Sequence, residues 1–161
     1  MASRVVRRAI FPLESTTRLN SRDAQMFLAN EGLPEQDLLV EYCDWQNVSS
    51  IDIGSNSFLS IGNAGDEILG IDTTTARVVA ISRIDADIAY IASSVITFAA
   101  LLEAFTRRYP FLPDKSGPDG FVHAADEFKS ELQRIDASAL SEDPGFWNDL
   151  LMDISIGDYC E

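Results

Sequence analysis

The chain has 161 residues, 46% of them hydrophobic, and a formal net charge of −14. That apolar share fills an ordinary packed core and excludes global disorder, and the length suits one domain. The charge argues against nucleic acid or anionic lipid as a ligand and for a basic partner, although an acidic surface also serves solubility alone.

The charge is unevenly placed. Residues 1–34 carry five arginines against three acids, whereas residues 35–161 carry 23 acids against seven bases. Residues 1–19 are basic and weakly patterned, and are expected to form a loosely ordered lead-in to a single domain over 20–161. The opening MASRVVRRAIF has no apolar stretch of signal-peptide length, which points to a cytoplasmic protein. LNSRDAQMFLANEGLP then predicts a short helix: Asn20 or Ser21 caps its start, Ala24, Phe27 and Leu28 share a face, Gly32 ends it and Pro34 prevents continuation.

A strand-rich middle follows. DLLVEYCDW suits strand or helix, and CDWQNVSS is a polar loop. SFLSIG and EILGID are strand-like, with NAGD at 63–66 as the turn between them. ARVVAISR, rich in β-branched residues, is another strand, set apart by the threonines at 73–75. The alternation of Ile84, Asp85, Ala86, Asp87 and Ile88 predicts a half-exposed strand with both carboxylates on one face. Connections this short require antiparallel pairing.

The remainder is helical. Phe98, Leu101, Leu102 and Phe105 fall on one face, with Glu103 and Arg107 as an i,i+4 pair. After a loop over 115–120, Phe121, Ala124, Ala125, Phe128, Leu132 and Ile135 mark a second helix. A third is expected to begin at an Asp143 cap with Pro144 in the first turn, to bury Trp147, Leu150, Leu151 and Ile154, and to stop at Gly157. The fold class is therefore α+β: an antiparallel meander with an N-terminal helix and C-terminal helices packed against it. Phe27, Phe98, Leu102, Trp147 and Leu151 are expected core residues.

The catalytic inventory is thin. Ser93 and Ser94 lack a Gly-x-Ser-x-Gly elbow, and the one histidine, His123, falls in another predicted helix, so the serines suit a helix cap better than a nucleophile. A catalytic zinc needs three protein ligands, and neither His123 nor Cys43 and Cys160, which lack a Cys-x-x-Cys, supplies such a set. Glu127, one turn from His123, suits a solvated ion pair. Asp85 and Asp87 admit three readings: acid–base or metal work, part of an acidic binding face, or the wet face of a sheet. No enzyme activity, cofactor, metal or small-molecule substrate is expected. The apolar run around Val95–Leu102 is far too short for a membrane span.

The ordered set of FLANEGLP (27–34), IGNAGDEILGID (61–72), TTARVVAI (74–81), IASSVITFAALLEAF (91–105) and DASALSEDPGFWNDLLMDISIGDY (136–159) resembles the SUKH superfamily, and most of all its SUKH-4 bacterial immunity proteins. The match departs at Ala92, where the family often has asparagine, and at Thr75 and Ala76, where it usually has glycine. The resemblance implies a non-enzymatic protein that binds and blocks a cognate toxin, often a nuclease or nucleic-acid deaminase. Such toxins tend to be basic, in keeping with the charge of this chain. Asp44, Trp45, Asp66, Glu67, Asp85 and Asp87 are the expected partner contacts. The alternative is an adaptor or regulator that uses the same fold for another protein.

Overall fold

The structure, a computed structural model, describes residues 6–113, 117 and 119–161. Its architecture is the expected α+β one. Two short strands, β1 (Arg8–Ala9) and β2 (Leu33–Pro34), pair across the end of helix α1 (Arg22–Asn30). A six-stranded antiparallel sheet is built from β3 (Glu41–Tyr42), β4 (Ser49–Ile53), β5 (Asn56–Ala64), β6 (Glu67–Asp72), β7 (Val78–Ile81) and β8 (Ile88–Ala92). Strands β5 to β8 form the meander, while β3 and β4 share the far edge of β5. Helices α2 (Val95–Arg108), α3 (Asp119–Ile135) and α4 (Phe146–Ser155) follow.

Successive residues along the strands point to opposite faces of the sheet, and apolar side chains are buried on both. Leu59, Ile61, Leu69, Ile71, Val78 and Ile91 join Phe98, Leu101, Leu102 and Phe105 of α2 in the main core. The opposite face holds a smaller cluster of Phe58, Val79 and Ile81, with Ile53 and Ile68 against it. Each fully buried large side chain contributes roughly 1.5–3 kcal/mol of transfer free energy. Trp147 is completely buried and satisfies its indole N–H by donating to the Ile91 carbonyl at 2.9 Å, which fastens α4 to β8. The outer edge of β8 is blocked rather than left open for pairing: Tyr90 N donates to the Glu142 carboxylate at 3.1 Å.

Two glycines shape the β5 region. At the β-bulge after Ser60, a Cβ on Gly62 would run into the Glu41 carbonyl and come within 2.8 Å of Tyr42 Cα, so only glycine lets β3 approach. The β5–β6 hairpin closes through two residues, Gly65 and Asp66, and Gly65 takes φ +60° at the position where a II′ turn asks for glycine.

Several expectations change. Residues 6–19 pack into the main core through Phe11 and Leu19, which are 1% and 3% exposed, rather than forming a loose lead-in; residues 1–5 lie outside the described set. Ser21 is the cap of α1, accepting from Ala24 N at 3.1 Å, and Gly32 takes φ +75° just beyond its end. Phe27 is half-buried rather than central, whereas Phe98, Leu102, Trp147 and Leu151 are core. The Glu103–Arg107 pair is not formed: Glu103 meets Arg8 at 2.6 Å, and Arg107 meets Glu131 of α3 at 2.7 Å. Helix α4 starts at Phe146 with Gly145 as an N-cap that offers no side chain, so Asp143 and Pro144 lie ahead of the helix. Lys115, Ser116 and Pro118 of the expected loop lie outside the described residues, and Asp119 and Gly120 open α3.

Candidate functional site

The two serines are consumed by local structure. Ser94 is the N-cap of α2: its Oγ accepts from Thr97 N at 3.1 Å, and Thr97 Oγ1 accepts from Ser94 N at 3.1 Å, a reciprocal capping box. Ser93 N donates to the Asp136 carboxylate at 2.7 Å. Asp136, 7% exposed, also accepts from Ser138 N at 3.1 Å and from the Ser138 and Thr97 hydroxyls. Burial opposes its charge, but these donors together outweigh burial and hold its carboxyl below the ordinary range. The cluster anchors the start of α2 and that of a 3₁₀ turn (Ala137–Leu140) capped by Asp136, and has the geometry of a structural hub.

Asp85 and Asp87 are not on a strand. They lie with Ser82, Arg83, Ile84 and Ala86 in the turn that joins β7 to β8, which begins only at Ile88. The period-two pattern belongs to a turn tied by its own polar groups: Ser82 N donates to the Asp87 carbonyl at 2.9 Å, Ala86 N to the Ser82 carbonyl at 3.1 Å, and Asp87 N to Asp85 Oδ1 at 3.1 Å. Ala86 takes φ +60°, and Ile84 at the tip is 97% exposed. The Ser82 hydroxyl first, then the Asp87 amide, hold Asp85 below the usual carboxylate range, so it stays charged in the open.

Asp66 and Glu67 sit at the same end of the sheet. The pairs Ala64–Glu67, Ile68–Ile81 and Ile81–Ile88 bring the β5–β6 and β7–β8 turns side by side, and Arg83 donates to the Asn63 side chain across the gap. On the helix side this end opens into a groove of about 780 Å³. Asp66 and Glu67 line one wall and Asp149 and Asp153 of α4 the other, over an apolar floor that includes Leu39 and Leu150. Tyr159 closes it, held by a ring contact with Phe105 at 5.6 Å and by Phe111 N donating to its carbonyl at 2.8 Å. Burial first, then the Asp153 and Asp158 carboxylates, push the Tyr159 phenol up.

Asp149 and Asp153 are not among the contacts expected from the sequence, because the apolar stripe dominates the pattern of α4. The available signal was composition: residues 141–161 hold six acids and no lysine, arginine or histidine. Asp44 and Trp45 stand apart from this end. Trp45 opens a short 3₁₀ turn (Trp45–Asn47) between β3 and β4, half-buried against the core, and faces a separate depression with Glu14, Arg18 and Asp52. Cys43 and Cys160 are free thiols, and burial pushes the Cys43 thiol up, which disfavours a reactive thiolate.

Among the described residues, no group of three or more His, Cys, Asp or Glu is placed to hold a metal ion, and no helix is long and apolar enough to cross a membrane. What this sheet end presents is fixed charge on rigid elements around a groove of mixed polar and apolar lining, an arrangement suited to gripping a cationic macromolecule. No curated protein and no solved structure matches the chain. The family model for SUKH-4 immunity protein matches residues 11–153, from Phe11 in the core to Asp153 in the groove. That span takes in the six-stranded sheet, helices α1 to α3, most of α4 and the acidic sheet end, and the chain therefore belongs to the SUKH-4 immunity protein family.

Proposed function

We propose that this protein acts in the cytoplasm as a non-enzymatic inhibitor that binds a basic cognate toxin, a nuclease or nucleic-acid deaminase, and blocks it by covering the surface meant for phosphates. The observation that carries this reading is the convergence of Asp66, Glu67, Asp85 and Asp87 on one end of the sheet, with Asp149 and Asp153 beside them. Fixed carboxylates there resemble the charge pattern of a nucleic-acid backbone, and complementary potentials speed encounter and reject partners of like charge. Asp44 and Trp45 supply a second, smaller contact patch, with Trp45 as its aromatic anchor.

The test is co-expression with the toxin encoded beside the gene, scored by growth and by recovery of a complex at low salt. Rescue of growth together with a stable complex supports the reading. Loss of rescue with a partner of another kind recovered instead would favour an adaptor role for the same fold.

A further inference from the structure

We propose that the groove between the β5–β6 turn and α4 is the docking site for one segment of a basic protein, in which an apolar side chain is flanked by lysine or arginine. The inference rests on the toxin-binding reading above and names how that partner is held.

Three observations carry it. First, among the described residues, three carboxylates on the helices have arginine partners and those of the groove do not. Glu103 pairs with Arg8, Glu131 with Arg107 and Arg108, and Glu127 with Arg108. Among the described residues, no lysine or arginine pairs with Asp66, Glu67, Asp149 or Asp153. Second, Asp149 and Asp153 lie one turn apart on α4, where like charges repel, and Asp153 sits toward the helix C-terminus, where a negative charge opposes the macrodipole. Both arrangements work against the isolated helix and are relieved when a cation arrives. Third, the groove is not purely polar. Its floor is apolar, and Leu38 at its margin is 50% exposed. A small polyamine would satisfy the carboxylates and leave that apolar surface wet, whereas a peptide segment that places an apolar side chain between two cationic ones satisfies both.

The experiment is an NMR titration of the full chain with a short synthetic peptide of lysine and leucine, beside an all-lysine peptide and spermine. The account expects the lysine–leucine peptide to bind tightest and to shift amides of residues 64–67, 89 and 146–153. It expects Asp149→Asn with Asp153→Asn to weaken binding about tenfold, Leu38→Ser to weaken it about threefold, and Asp23→Asn with Asp126→Asn, which removes the same charge elsewhere, to change it less than about twofold. Equal weakening by the two charge-matched pairs, shifts spread over α1 and α3, or equal affinity for the all-lysine peptide or spermine would overturn it. Co-expression separates the two claims. If wild type protects cells and the Asp149→Asn/Asp153→Asn variant protects equally against rising toxin dose, the groove is wrong and the immunity reading stands. If the peptide maps to the groove but wild type protects against no toxin, the reverse holds.

Discussion

Ser94 and Thr97 each accept a backbone N–H from the other at the head of α2, both at 3.1 Å. This reciprocal pair satisfies two donors that the helix leaves orphaned. Ser94→Ala is expected to cost about 1 kcal/mol of stability, the usual worth of an N-cap hydroxyl. Ser93, whose contribution is made mainly through its backbone N–H, should tolerate alanine with a smaller loss. Urea unfolding of the two variants checks the order. Partner binding should be unchanged in both, because neither hydroxyl lies in the acidic sheet end.

Asp136 provides a pH-dependent component of stability. Its carboxyl is held below the ordinary value once folded, so its contribution is complete above the unfolded value of about 3.9 and is lost as pH falls through the lowered folded value. Asp136→Ala removes acceptors from Ser93 N, Ser138 N and two hydroxyls, and should destabilise by roughly 2–3 kcal/mol at neutral pH. The gap between wild type and variant should narrow as the pH is lowered from neutral through the acid range. Urea midpoints at a series of pH values measure this directly; a gap that widens with acid would contradict the assignment.

Gly62 and Ala86 make opposite predictions. At Gly62 a Cβ meets backbone of β3, which cannot give way without unpairing, and Gly62→Ala is expected to cost about 3 kcal/mol. Ala86 holds a left-handed φ in an exposed turn, and Ala86→Gly should stabilise by about 0.5 kcal/mol, since relief of strain outweighs the added freedom of the unfolded chain. Thermal midpoints should therefore fall sharply for the first and rise slightly for the second.

The fold was legible where the signal is local. The β-branched run of β7, the stripes of α2 and α3, and the serine cap of α2 all read correctly from pattern alone. Strand β4 was hidden because Ser49–Ile53 is short, edge-placed and half polar, and merged with the loop before it. The turn holding Asp85 and Asp87 mimicked a strand because polar alternation looks the same in both; the deciding facts, hydrogen bonds from Ser82 to Asp87 and a positive φ at Ala86, have no signature in composition. Of Thr75 and Ala76, which stand where the resembled family usually has glycine, Ala76 takes φ +61°. The groove was not legible at all. It arises where a hairpin turn meets a helix far along the chain, so Asp66 and Asp153 become neighbours of one groove only through tertiary packing.

Steering by fixed carboxylates has a kinetic signature. Association with a basic partner should slow as ionic strength rises, and Asp85→Lys with Asp87→Lys should lower the association rate at low salt while leaving dissociation less affected. Surface plasmon resonance at two salt concentrations separates the effects. An association rate unmoved by both salt and charge reversal would remove Asp85 and Asp87 from the binding surface.

The most direct measurement is the affinity of the proposed cognate toxin for wild type and for a variant carrying Asp66→Lys, Glu67→Lys, Asp149→Lys and Asp153→Lys, each first shown to be folded. The account predicts a tight one-to-one complex for wild type and a loss of at least about a hundredfold for the variant, with protection of cells lost in parallel. A variant that binds and protects as well as wild type at low salt would contradict the claim that this acidic sheet end is where the partner is held.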